Sequence, residues 1–374
     1  MTREWAQKAE TAIAHDWLNG MRGGEKCLES IVRVFPDSRI YTLFHKVGAV
    51  SQAIESKPIR TSFLQSIPGA ATHYKYFLPL FPAAIELFNV SGSPAFVIST
   101  SHCVAKGIRP PRGLKHICYC FTPMRYAWLF FDEYFGKYPK PVQALIRRVL
   151  GALREWDKRT SARVTHFIAI SEHVKKRIQE FYGRDATVIY PPVDAEFYTP
   201  PAPGAKRDGF YLLVSALVPY KRVELAIEAF NRLGKKLVII GTGPERKKLE
   251  ALAGPTIEFG GWKDDASLRD FYRSAAGLIF PGEEDFGIVP VEAQACGLPV
   301  IAYKKGGALE TIVEGRTGLF FKEPTTASLV NAVRRFETIS WESANIRAWA
   351  ERFDRARFEN EFREAALGLV GAPA

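Results

Sequence analysis

The sequence predicts an α/β protein made of two doubly wound, Rossmann-like domains in tandem. Three observations predict it. Short apolar strand patterns alternate with amphipathic helix patterns through both halves, a glycine turn joins the first strand to the first helix, and a proline-rich stretch divides the alternation near its middle. At 374 residues the chain exceeds one typical core. The expected division is a first domain over 1–195, a second over 205–340, and a charged helical tail over 341–374 that returns toward the first domain.

In the first half, residues 11–17 (TAIAHDW) form a strand pattern, followed by a loop ending in Gly23-Gly24 and a helix over 25–35. The two glycines let a backbone approach a ligand closely. Further strands are expected at 39–44, 95–99, 115–120 and 164–170, with Ser171 capping the next helix. Two stretches interrupt the rhythm. Residues 73–88 are dense in aromatics, and 141–159 form a helix with Val142, Leu145, Ile146, Val149, Leu150, Leu153 and Trp156 on one stripe and arginines off it. Such a stripe suits either a membrane surface or an ordinary core. Pro191, Pro192, Pro200, Pro201, Pro203 and Gly204 read as a linker. The second half alternates more cleanly: strands at 210–216, 236–240, 257–259, 278–280, 300–303 and 318–321, and helices at 221–233, 245–253, 266–274, 288–296, 309–313 and 326–336.

Composition narrows the function classes. With 47% hydrophobic and 24% charged residues, this is an ordinary globular chain. Residues 1–14 lack an apolar leader segment, and the longest apolar stretch, 77–85, is too short to span a bilayer and is broken by Pro79 and Pro82. The five cysteines are scattered, without a CxxC pair, so neither a disulfide framework nor a zinc site is signalled, and a reducing cytoplasm is expected. The net charge of +11 is unevenly placed: residues 1–190 hold 27 of the 51 Lys/Arg but only 15 of the 40 Asp/Glu. An anionic partner of the first domain follows, a membrane surface or nucleic acid; no nucleic-acid-binding motif is visible, so nucleic acid is not expected.

The second half is organised around 278–299, LIFPGEEDFGIVPVEAQACGLP. Pro290 suits a first helical turn, Gly297 a left-handed C-terminal position, and Pro299 stops continuation. The N–H groups at Ile288 and Val289, after Gly287, would meet an anion at the helix start. Glu284 and Glu292 bracket that place. Carboxylates beside a phosphate site recognise hydroxyls, and hydroxyls plus phosphate mean a sugar nucleotide or sugar phosphate. Lys221 and Arg222 open a helix, where cations oppose the dipole; a departing diphosphate explains them. Glycoside hydrolases also use paired acids. They need neither a phosphate-binding helix start nor a Lys-Arg pair, so transfer is favoured over hydrolysis.

EDFGIVPVEAQACGLPVIAYKKGGALETI, with glutamates at 284 and 292, resembles the E-x7-E signature of retaining GT-B glycosyltransferases of the family 4 type. GGE (23–25), VPYKR (218–222), GTGPE (241–245), FGGW (259–262) and GRTGLFF (315–321) match in the expected order. HDWLNGMRGGEK, TSFLQ, LPLFPAAIE, STSHCVAKG and TPMRYAW are similar to a bacterial branch associated with O-antigen and exopolysaccharide mannosyltransferases.

The resemblance implies two domains facing a cleft. Glu284 would hold donor-sugar hydroxyls and Glu292 the ribose. Lys221 and Arg222, with the N–H groups around Gly287, Ile288 and Val289, would hold the diphosphate. Gly23, Gly24 and Gly241 would line the ligand. It further implies a metal-independent, cofactor-free reaction with retained anomeric configuration, in which the leaving phosphate assists the acceptor hydroxyl. Three positions depart from the pattern: Ala216 for an arginine, Phe121 for a histidine, and Leu129 for an acid. The expected protein is a cytoplasmic, peripheral membrane hexosyltransferase using GDP-mannose and a lipid-linked saccharide acceptor. The alternatives are a catalytically weak sugar-nucleotide-binding partner protein, a UDP-sugar-dependent transferase of the same fold, and a sugar-nucleotide epimerase.

Overall fold

Strands that are apolar throughout, such as TAIAH at Thr11–His15, must be covered on both faces, which parallel sheets flanked by helices achieve. The computed structural model describes residues 8–129, 131–136, 138–202, 204–205 and 207–370. Residues 1–7 of the polar amino-terminal stretch, Pro203 of the linker and residues 371–374 of the tail lie outside these. Two compact units result: Met1–Pro192 with Ala356–Ala374, and Val193–Arg355. Against expected limits at 195, 205 and 340, the chain divides at 192/193 and 355/356.

The first unit holds seven parallel strands: β1 (Thr11–His15), β2 (Ser38–Thr42), β3 (Ile59–Thr61), β4 (Phe96–Ser101), β5 (His116–Cys120), β6 (His166–Ala169) and β7 (Ala186–Val188), in the order β3-β2-β1-β4-β5-β6-β7. The order reverses direction between β1 and β4, the point where doubly wound sheets bind ligands. Helix α1 (Gly23–Val34) follows β1 and buries Cys27, Leu28, Ile31, Val32 and Val34. The expected basic helix is α2 (Lys140–Ser161), and its stripe divides. Leu150, Leu153 and Trp156 are core, whereas Val142 and Leu145 stay exposed.

The buried half of α2 also carries Asp157, which takes the Lys106 ammonium at 2.7 Å, the Trp128 Nε1–H at 2.8 Å and the Tyr182 hydroxyl at 2.7 Å. A carboxylate with no access to water needs all of them. Helix α3 (Glu172–Tyr182) starts at Ser171, whose hydroxyl accepts from the Val174 N–H.

The second unit holds six parallel strands: β8 (Tyr211–Val214), β9 (Leu237–Ile240), β10 (Ile257–Gly261), β11 (Gly277–Phe280), β12 (Val300–Tyr303) and β13 (Gly318–Phe321), in the order β10-β9-β8-β11-β12-β13. Its reversal falls between β8 and β11. One expectation fails here. Lys221 and Arg222 do not open a helix: Pro219–Lys221 is a single 3-10 turn, Arg222 sits in the left-handed region at φ 53°, and α4 begins at Val223 and ends at Leu233. Arg222 is instead the residue immediately before α4, at its N-cap position, and caps it with no side-chain hydrogen bond. Helix α5 spans Ile288–Ala295 and α6 spans Thr326–Phe336.

The tail is two helices rather than one. Helix α7 (Ser343–Ala350) belongs to the second unit, a turn at Glu351–Phe353 breaks the run, and α8 (Arg355–Val370) joins the first. Phe358 and Phe362 of α8 are fully buried against Tyr119, and Phe362 also meets Phe35. Each such ring contributes about 2–3 kcal/mol by burial.

Candidate functional site

Both strand reversals carry a cluster of polar residues. In the second unit, β11 runs into Pro281-Gly282 and the acidic loop, and the chain turns into α5 through Gly287 at φ 92°, a conformation that favours glycine. No side chain caps α5, and Pro290 brings no N–H, so Ile288 and Val289 supply its first donors. At Gly282 an added Cβ would lie 3.1 Å from the Lys221 Cα, so the two loops touch through backbone. The Lys221 ammonium pairs directly with Glu284 Oε1, both side chains being largely buried. Glu284 is held at its backbone as well, its carbonyl accepting from the Gly307 N–H at 2.8 Å. Glu283 pairs with Lys305 at 3.0 Å.

Arg222 does not join this pair. Its guanidinium lies 4.8 Å from the centre of the Tyr303 ring, and its Nη1 is buried without a hydrogen-bond partner. Glu292 is 4% exposed and accepts from the Tyr272 hydroxyl at 3.1 Å. Gly241 follows β9, next to β8, at φ 136°, and an added Cβ would run into the Ser215 carbonyl. Lys221, Gly241 and Glu284 thus follow three adjacent strands, β8, β9 and β11.

In the first unit, Gly23 and Gly24 are the first residues of α1, whose start is closed by the Glu25 carboxylate accepting from the Arg22 N–H at 3.1 Å. Around them is a network that sequence reasoning missed. Asp16, the residue directly after β1, is wholly buried. Its Oδ1 accepts from the N–H groups of Val104 and Ala105, both at 2.7 Å, and its Oδ2 from those of His102 at 2.7 Å and Cys103 at 3.0 Å. Oδ2 also lies 3.0 Å from His102 Nδ1.

Burial alone would raise the Asp16 pKa; the charge and hydrogen bonds of His102 outweigh it and bring the carboxyl down to about 2. His15 bonds Thr100 Oγ1 through Nδ1 at 2.7 Å, and its buried Nε2 stands 3.9 Å from Glu25. Against burial, the neighbouring His15 holds Glu25 below the usual carboxylate range. Phe121 packs its ring over Gly24, 3.4 Å from where a Cβ would be, and lies 6.3 Å from the His102 ring. The only sequence signal for this network was a His-Asp pair ending a buried strand.

Two parallel-sheet folds of this type in tandem, with glycine turns and polar residues at each reversal, are the architecture of the GT-B class. Residues 64–197 match the family model Glycosyltransferase Family 4, and residues 197–352 match Glycosyl transferases group 1. The chain belongs to the GT-B glycosyltransferases of this family 4 and group 1 type. It is 33% identical over 160 residues to an uncharacterised glycosyltransferase of Methanocaldococcus jannaschii, which covers 41% of this chain and 44% of that protein. To a GDP-mannose-dependent alpha-mannosyltransferase of Mycolicibacterium smegmatis it is 34% identical over 145 residues, 36% of this chain and 38% of that one. These matches span less than half the length of either relative. In fold it is similar to HepE of Anabaena, solved with UDP-glucose, with a TM-score of 0.67 and 17% identity over 95% of this chain and 99% of that chain.

Among the described residues, no helix is long and apolar enough to cross a membrane, and no group of three or more His, Cys, Asp or Glu is placed to hold a metal ion.

Proposed function

We propose that the protein is a retaining, metal-independent hexosyltransferase that moves mannose from GDP-mannose onto a lipid-linked saccharide at the inner face of a bacterial membrane. The observation that carries this is the meeting of Lys221 and Glu284 at the β8/β11 reversal, before a helix start that no side chain caps. A nucleotide sugar replaces that single ion pair with a fuller set of partners. Diphosphate oxygens take the Lys221 ammonium, the Arg222 guanidinium with its unpartnered Nη1, and the N–H groups of Ile288 and Val289. Sugar hydroxyls donate to Glu284. The ribose shares the Glu292 carboxylate with Tyr272, and Gly241 leaves room for the nucleotide beside β8.

The bond from the sugar C1 to the phosphate oxygen breaks as the acceptor oxygen bonds to C1 on the same face, and the acceptor proton passes to the departing phosphate. No protein nucleophile is required; positioning and charge stabilisation supply the acceleration. Membrane contact is supported by the basic excess of residues 1–190 and by the exposed Tyr138, Val142 and Leu145 near Arg147 and Arg148. Salt-sensitive flotation with anionic vesicles checks that part.

The deciding experiment is thermal stabilisation by GDP, UDP, ADP and their sugars, repeated on Glu292→Ala. A hundredfold excess over the dissociation constant stabilises by about 2.7 kcal/mol, and GDP and GDP-mannose are expected to do so in the unaltered protein only. Stabilisation by UDP and UDP-glucose instead would reassign the donor, and none at all would end the nucleotide-sugar reading. A second reading, a binding protein of weak activity, is favoured by the Phe121 ring over Gly24. In that case nucleotide binds, no acceptor turns over, and Phe121→His raises turnover.

A further inference from the structure

The Asp16 network contains an imidazole whose far side is unused. Asp16 is completely enclosed, and four consecutive backbone N–H groups, from His102 to Ala105, hold its two oxygens. Such a carboxylate cannot rotate or move, so the fifth group it meets, His102 Nδ1, is fixed as well. The His102 ring is held in place edge-to-face by Trp17, whose ring centre is 4.5 Å away, and is flanked by Phe121 at 6.3 Å. Nε2 lies on the side of the ring away from Asp16, in a side chain that keeps 31% of its surface exposed, and has no hydrogen-bond partner among the described residues. In the neutral imidazole, with the Nδ1–H donated to Asp16, Nε2 is an acceptor.

The place matters as much as the geometry. Asp16 follows β1 and His102 follows β4, the two strands between which the first sheet reverses its order. Ligands of doubly wound sheets sit outside that point. Gly24 adjoins it through Phe121. An oriented acceptor beside aromatic faces suits a ligand hydroxyl backed by the apolar face of a sugar ring.

We propose that His102 is a substrate-binding residue, accepting through Nε2 a hydrogen bond from a hydroxyl of a sugar substrate, with Asp16 as its positioning residue. This rests on the sugar-transfer reading above and names a contact within it. The hydroxyl belongs either to the sugar of the donor or to the acceptor saccharide.

The test compares His102→Asn with His102→Gln. Asparagine keeps an N–H for Asp16 and loses the outward acceptor; glutamine places its amide oxygen near Nε2. Calorimetric titration with GDP, GDP-mannose, UDP and UDP-glucose, and KM for the acceptor, are read on both variants and on the unaltered chain. The asparagine variant is expected to lose about tenfold in affinity for the nucleotide sugar but not for the free nucleotide, if the donor supplies the hydroxyl, or about tenfold in acceptor KM with donor affinity unchanged, if the acceptor does. In either case the glutamine variant is expected to recover most of the loss. Asparagine outperforming glutamine, or equal loss for nucleotide and nucleotide sugar with a lowered melting temperature, would show a structural prop and overturn the inference, as would no change in either variant while the nucleotide still binds. No binding of any probe to the unaltered chain would overturn the functional reading, and the inference with it.

Discussion

The two strand reversals solve the same problem in opposite ways. In the first unit the carboxylates are enclosed: Asp16 is wholly buried and satisfied by backbone, and Asp157 by a lysine, a tryptophan and a tyrosine. In the second unit Glu284 and Lys221 retain some exposure and pair with each other, and Lys305 pairs with Glu283 nearer the surface. A carboxylate bound by four rigid N–H groups has no capacity left for a ligand. An ion pair at a loop edge exchanges partners readily, because a diphosphate and a hydroxyl offer each member as much as it loses. Enclosed charge builds the scaffold, and in the proposed reaction exchangeable charge meets the substrate.

Breaking the enclosed side is expected to cost the most. Lys106→Met leaves Asp157 without its cation in a dry core and should destabilise the first unit by about 3–5 kcal/mol, seen as a lowered first transition in calorimetry. Asp16→Asn turns an amide N–H₂ toward backbone donors; a loss of about 2–3 kcal/mol is expected in the same measurement. Acid sharpens the comparison. The Asp16 pKa is depressed from 3.8 to about 2 in the folded chain, so its contribution is present above pH ~4 and lost as pH falls through about 2. Denaturant titrations from pH 4 to pH 2 should lose on the order of 2 kcal/mol, and Asp16→Asn should flatten that slope.

On the exchangeable side, Glu284→Gln is expected to change stability by less than about 1 kcal/mol, the range of partly exposed pairs, while transfer activity falls at least a hundredfold. Smallest is Arg222→Gly. Arg222 is the only non-glycine residue at positive φ among those described. Glycine removes that strain and should raise stability by roughly 0.5–1 kcal/mol while weakening nucleotide binding in the thermal-shift assay.

Much of the frame was legible in the sequence because parallel strands covered on both faces are apolar throughout and need little context. Strands at 300–303 and 318–321 and the helix at 326–336 have their expected limits. The edge strands Ile59–Thr61 and Ala186–Val188 escaped notice, being three residues long and partly polar. Lys221 and Glu284 were each singled out for the donor, but their pairing was not foreseen, since it depends on β8 and β11 being neighbours. The same holds for Asp16 and His102, which lie 86 residues apart and meet only through the order of β1 and β4. The left-handed turn at Arg222 has no signal in residue type at all, because nothing about arginine favours it.

The return of α8 to the first unit has a consequence for synthesis. Tyr119 and Phe35 are made early, yet the rings that cover them, Phe358 and Phe362, are made only after the whole of Val193–Arg355. At 5–20 residues per second a ribosome needs roughly 10–30 s for that interval. Throughout it the nascent amino-terminal sheet shows an uncovered aromatic patch to the cell, while the second unit can fold to completion as it emerges. The portion translated first is therefore the last to be finished, and it is the portion in which holdase chaperones have the longest time to act.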